Sequence, residues 1–268
     1  MESPIEFYNN FDNKLIKDFI KGNKRLVNAI EFLGSYIDSE SKHVLDIGCG
    51  LGWSSFEFAR EYPNVKVTGV DLSPVLIEAA NKMFHGLKNL NFIVHDLIEG
   101  LPEGSYDVVS MIDVYEHIPL DQRKSFHVKL KGVLSQHSKV LLACPSKFHQ
   151  ENLRQHKPEG LQPVDEDVDV SVIQKFADDI DGEIVFFEYK NIWGINDYLY
   201  AVIELKPSYK TKAPKVKRKL LKVEPKEKRV KRLKERMCLE IANHDTDKSK
   251  NIKASKKSFK NLVKKFRP

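Results

Sequence analysis

Cysteine is scarce in this 268-residue chain. Only Cys49, Cys144 and Cys238 are present, far apart and odd in number. That argues against a disulfide framework and for a reducing compartment. Long apolar runs are missing too: none approaches the roughly 20 residues needed to cross a bilayer. The start, Met-Glu-Ser-Pro-Ile-Glu-Phe-Tyr, has neither the basic end nor the apolar stretch of a signal peptide. We therefore expect a cytoplasmic protein. No internal repeat is present, which excludes a solenoid.

Acidic residues run short in one region. From Lys206 onward the chain carries 24 of its 44 Lys and Arg but 6 of its 38 Asp and Glu, a balance of +18. The preceding residues carry −12, and the whole chain +6. Opposite balances predict two distinct parts. These are a domain over 1–205, with a helical cap over 1–34, and a basic tail over 206–268 that is partly helical or disordered.

What is present in the first part is an alternation of short apolar strands and amphipathic helices. Leu15, Phe19, Leu26, Ile30 and Leu33 fall at helical spacing, predicting one or two helices that stop near Gly34. Strands are expected over 44–47, 65–70, 90–94, 106–112, 139–143, 184–189 and 198–205. Helices are expected over 53–62, 74–84, 121–134 and 172–178. Ser73 and Pro74 are placed to start the second of these. The pattern predicts a three-layer α/β fold with a mostly parallel sheet. The last two strands are joined without a helix, so they should form a hairpin with an antiparallel final strand.

Chemistry concentrates at the carboxyl ends of the strands, where ligands bind in such sheets. Asp46 closes the first strand and leads into Gly48, Gly50 and Gly52, spaced for backbone that approaches a ligand or takes positive φ. Asp71 ends the second strand, placed to accept both hydroxyl protons of a ribose. Asp96 ends the third and can accept from an exocyclic amine such as that of adenine. Leu72 and Leu97 flank these acids and could sandwich a flat base. Asp113 follows the fourth strand. Taken singly, two glycines are common in α/β loops, and a strand-end Asp is more often a helix cap. Four such features on four successive strands are hard to obtain by accident. A dinucleotide fingerprint, G-x-G-x-x-G, wants glycine where this chain has Trp53.

The run His-Val-Leu-Asp-Ile-Gly-Cys-Gly-Leu-Gly-Trp (43–53), with those acids, resembles the cofactor site of the class I, Rossmann-like S-adenosylmethionine-dependent methyltransferases. The resemblance covers roughly 7–205 and is specific in its first half. It implies a seven-stranded sheet with an antiparallel last strand. It also implies that Asp46, Gly48, Cys49, Gly50 and Gly52 hold the methionine end of the cofactor. Asp71 would then hold the ribose and Asp96 the adenine amine, with Leu72, Leu97 and Asp113 also at the cofactor. Tyr8 is a candidate to close over the cofactor, against a plain packing role.

Methyl transfer needs alignment, exclusion of water and, for a hydroxyl acceptor, a base. His117, in Asp113-Val-Tyr-Glu-His-Ile-Pro, is the candidate base with Glu116 beside it. Two other readings stay open. The pair could orient the next helix, or Asp113, Glu116 and His117 could ligate Mg²⁺ or Zn²⁺, as a similar stretch in quinone-precursor O-methyltransferases suggests. The chain lacks the Asn/Asp-Pro-Pro-aromatic loop of adenine and glutamine methyltransferases. It also lacks the Pro-Cys nucleophile of the cytosine-carbon enzymes, since Cys144-Pro145 is in reverse order. DNA-base methylation is thereby disfavoured.

The segment 146–169 should run over the site, offering His149, Gln150, Arg154, His156, Gln162 and Asp165. Its stretch 156–166 resembles methyltransferases of bacterial surface-polysaccharide pathways. The expected reaction is O-methylation of a small-molecule or saccharide hydroxyl. The alternatives are an RNA methyltransferase recruited by the tail and an inactive cofactor-binding module. For the tail, three readings compete: a solvated extension, RNA binding, or a peripheral membrane anchor built on Phe259, Leu262, Val263 and Phe266. Oligomeric state is not legible.

Overall fold

The computed structural model describes residues 12–38, 40–208 and 218–237. Tyr8, Cys238 and the 256–266 segment lie outside these residues. Two helices open the described chain, α1 (Asp12–Lys21) and α2 (Lys24–Gly34). They are broken at Gly22, whose φ of +75° ends α1, and Asn23 caps α2 by accepting from the Arg25 amide. Then follow β1 (His43–Ile47), α3 (Trp53–Glu61), β2 (Lys66–Asp71), α4 (Pro74–Phe84), β3 (Leu90–Val94) and β4 (Tyr106–Ile112). A 3₁₀ turn at Tyr115–His117 leads into α5 (Leu120–Val133) and β5 (Leu134–Pro145). The rest is α6 (Lys147–His156), a 3₁₀ turn at Pro158–Gly160, α7 (Val170–Asp179), β6 (Gly182–Lys190), β7 (Tyr198–Leu205) and α8 (Lys226–Met237).

The seven strands form one sheet in the order β3-β2-β1-β4-β5-β7-β6. The pairs among β1 to β5 are parallel, and β7 runs antiparallel to both β5 and β6. This is the expected α/β sheet with its hairpin ending. Several strands and helices keep their predicted ends; β5 begins five residues before its expected start at Lys139. The order reverses beside β1, between β1 and β4, which opens a crevice at the carboxyl edge.

Alternation along the strands feeds two cores. Val108 of β4 joins a cluster with Ile30 and Leu33 of α2, Phe58 of α3 and Met83 of α4. Val109 faces the other way, toward Phe126 and Leu130 of α5 and Phe176 of α7. The first cluster also holds Leu221, Leu233 and Met237. The basic region after residue 205 thus packs part of its length, 218–237, against the first core. Its local apolar content is too small for a core of its own, but three side chains suffice to join an existing one.

Segment 146–169 was expected as a polar connection. It contains a ten-residue helix, α6, capped by Ser146, which accepts from the His149 amide. No helix among the described residues is long and apolar enough to cross a membrane.

Candidate functional site

The three glycines after β1 all take left-handed φ: +64° at Gly48, +54° at Gly50 and +79° at Gly52. Glycine is required twice over at Gly52, where an added Cβ would lie 2.4 Å from the Phe92 ring. The loop is tied down by the strand-end acid of β2: Asp71 Oδ2 accepts from the Gly50 amide at 2.8 Å. The other oxygen of Asp71 accepts from the Ser73 amide at 2.9 Å. Burial raises its pKa despite those amides.

Asp46 sits beneath the loop. It is 1% exposed and lines neither cavity of the site. Its Oδ2 accepts from Ser54 Oγ at 2.5 Å and Ser55 Oγ at 2.6 Å. Burial pushes its pKa up to about 6. Asp46, expected at the methionine end, fastens the first turn of α3 to β1.

Two cavities meet at the crevice and share Gly48, Asp71, Asp113 and His117. The smaller, of about 270 Å³, is an apolar slot with Leu72, Leu97, Ile98, Val114, Ile118 and Phe126 in its walls. Asp96 and His95 also line it. Asp96 Oδ1 caps the Ile98 amide at 2.8 Å, and His95 Nε2 is buried with no hydrogen-bond partner among the described residues. A flat base carrying an amine and ring nitrogens fits this lining. The larger cavity, of about 400 Å³, has the glycine loop on one side, with Cys49, and α1–α2 over it, with Lys14, Leu15, Phe19 and Arg25. Its other side is Glu116, His149, Gln150, Gln162, Asp165 and Trp193.

Asp113 sits at the end of β4 with φ +56°, a conformation that Asp tolerates better than most residues. Arg25 Nε lies 3.1 Å from its Oδ2, and Tyr198 donates its hydroxyl to Oδ1 at 2.7 Å. Arg25 also donates to the Tyr198 hydroxyl at 3.0 Å. Sequence reasoning missed Arg25 and Tyr198. They lie 88 and 85 residues from Asp113, and only the sheet order brings them together. The sole signal was an acid needing a cation.

The turn after Asp113 splits its side chains. Tyr115 goes into the core, stacked on Phe176 and hydrogen-bonded to His127 at 2.9 Å. Arg123 lies over its ring and donates to the Ile118 carbonyl. With Tyr115 fixed, Glu116 and His117 turn to the cavity. His117 Nδ1 is 2.6 Å from the Val164 carbonyl and 3.3 Å from Asp165 Oδ1, so that nitrogen carries a proton. Its Nε2 is 3.6 Å from Glu116 Oε1. Burial opposes charge on His117, yet Glu116, Asp165 and the Val164 carbonyl outweigh it and push its pKa up to about 9. Burial is also the main cause raising Glu116, to about 7, with His117 opposing. Glu116 is fully buried, and neither of its oxygens has a hydrogen-bond partner among the described residues.

Within the expected pair, the two side chains differ in what they can accept. A protonated His117 has no lone pair to take a proton, whereas Glu116, once ionised above about 7, does. Of the three residues in the metal reading, one is already partnered. Asp113 is engaged by Arg25 and Tyr198, and no group of three His, Cys, Asp or Glu able to hold a metal occurs among the described residues.

Comparison with known proteins agrees with this architecture. Residues 44–137 match the family model described as a methyltransferase domain. A malonyl-[acyl-carrier protein] O-methyltransferase of Ilyobacter polytropus is 34% identical over 85 residues, 32% of this chain and 31% of that protein. A ubiquinone biosynthesis O-methyltransferase of Coxiella burnetii is 35% identical over 103 residues, 37% of this chain and 43% of that one. The matches thus span about a third to a half of the curated relatives' length. Among solved structures, magnesium protoporphyrin IX methyltransferase of Synechocystis with bound SAH superposes with TM-score 0.56. It is 20% identical, over 71% of this chain and 86% of that one, which is a likeness of fold.

Proposed function

We propose that this chain, whose residues 44–137 match a methyltransferase domain in the class I fold, methylates a hydroxyl of a small-molecule acceptor, saccharides included, using S-adenosylmethionine. Bound at the crevice, S-adenosylmethionine would supply a methyl carbon already activated by the sulfonium charge, with the carbon–sulfur pair leaving on sulfur. Asp71 would accept the ribose hydroxyls and Asp96 the adenine amine, with Leu72 and Leu97 against the base. Backbone of Gly48 to Gly52 would border the methionine end, and Asp46 would act through Ser54 and Ser55.

Glu116 carries the acceptor reading. An ionised carboxylate without hydrogen bonds in a buried site is costly, and an incoming O–H group relieves that cost. The acceptor oxygen donates its hydrogen bond to Glu116, then loses the proton to it as the new carbon–oxygen bond forms. His117 stabilises the ionised Glu116, and Asp165 and the Val164 carbonyl orient His117. Closing α1–α2 over the crevice excludes water. Titration calorimetry with S-adenosylmethionine tests the reading at its base: the full-length protein should bind it, and no heat of binding would overturn the proposal.

A further inference from the structure

We propose that the basic segment 218–237 braces the cofactor site, with Arg229 as a positioning residue for the helix that roofs it. This rests on the methyltransferase reading above.

Helix α1 lies over the glycine loop: a Cβ on Gly50 would stand 3.2 Å from Leu15 Cδ1. Phe19 of α1 and Trp53, the first residue of α3, meet edge to face at 5.2 Å and both line the larger cavity. What holds α1 there comes mainly from the other end of the chain, because α8 is the element it packs against most. Arg229, 4% exposed, sets its guanidinium over Trp53 at 4.8 Å and over Phe19 at 5.7 Å. The same guanidinium fills the space where Gly22 would carry a side chain: a Cβ there would lie 2.8 Å from Nη2. One side chain thus touches the roof, the link between α1 and α2, and the residue next to the glycine loop.

The segment is latched in register. The Leu221 amide donates to the Glu31 carbonyl at 3.0 Å. Glu57 Oε1 accepts from both the Glu224 amide at 2.8 Å and Trp53 Nε1 at 3.1 Å. Arg232 pairs with Glu224 at 2.8 Å and lies over Phe56. Burying Arg229 costs free energy, since its Nε and Nη1 have no hydrogen-bond partner among the described residues. Leucine would pack such a site at lower cost. A cation held on two aromatic faces instead fixes the rings' orientation.

The test is calorimetric binding of S-adenosylhomocysteine to the full-length protein and its variants, with thermal unfolding followed in parallel. Wild type must bind, and failure there removes the function reading itself. Given that, Arg229→Ala should weaken binding about tenfold, with Arg229→Lys between the two. A residue that only stabilises the fold would lower Tm and leave the affinity of the folded protein within twofold of wild type. That result in both folded variants overturns the proposal. Should Arg229→Ala not fold, Arg229→Lys decides alone: a threefold loss or more supports it, and unchanged affinity overturns it.

Discussion

The two cavities share four residues yet are built on different plans. The smaller is made mostly from strand ends and the loops directly after them, and its hydrogen bonds are local: Asp96 to Ile98, Asp71 to Ser73. The larger is assembled from α1–α2, the turn at 115–117, segment 145–165 and Trp193 before β7. Its acids and bases are partnered across long stretches of chain, and Glu116 and Gln150 Oε1 are left without hydrogen bonds among the described residues. Short local hydrogen bonds fix the smaller cavity, with His95 Nε2 left unpartnered among the described residues, and such a wall suits one fixed ligand. Unsatisfied acceptors suit a ligand that brings donors, so the acceptor side is where specificity resides.

The comparison breaks most sharply at Glu116. Glu116→Gln should lower turnover about 10²- to 10⁴-fold while leaving S-adenosylhomocysteine affinity unchanged. Equal losses in both would place Glu116 on the cofactor side. The pH profile gives the same information in the wild type. Glu116 accepts a proton only when ionised, so the rate should rise with pH through about 7. It should then level off, because Glu116 stays ionised as His117 loses its proton at about 9. The glutamine variant should lose the lower limb.

The basic segment offers the next largest effect. Leu233→Ala removes a fully buried side chain and should cost about 3 kcal/mol in urea unfolding. A loss below about 0.5 kcal/mol would mean that α8 is not part of the domain's core. On the cofactor side, Asp71→Ala deletes a ligand contact and frees the Gly50 and Ser73 amides together. It should weaken S-adenosylhomocysteine binding about a hundredfold. An unchanged affinity would refute the ribose assignment.

How much was legible in the sequence follows the same division. The glycine loop, Asp71 and Asp96 declare themselves because each lies at a strand end, and strand ends follow from the apolar pattern. Asp46 was found but its partners were not, since Ser54 and Ser55 lie across the glycine loop in the first turn of α3. The setting of His117 was not legible, because its partners Val164 and Asp165 lie nearly fifty residues later in the chain. The basic region was legible as charge. Its docking was not, because Leu221, Arg229, Leu233 and Met237 are sparse among lysines and gain meaning only against α1, α3 and α4.

The smallest expected effect concerns how the acceptor wall is fastened. Segment 147–169 is held partly by surface pairs, Arg154 to Asp167 at 2.9 Å and Lys147 to Asp169 at 2.9 Å, with Arg154 and Asp167 42% and 51% exposed. Such pairs contribute at most about 1 kcal/mol and are screened by salt. Arg154→Ala should therefore leave global stability within about 1 kcal/mol of wild type. Local opening is a separate quantity. Amide hydrogen exchange should quicken over 157–168 in the variant, and in wild type as salt rises, while β1 to β3 and the glycine loop stay protected. Faster exchange in both regions together would mean that the two cavities open as one unit. The contrast between a prebuilt cofactor slot and a loosely fastened acceptor wall would then fall.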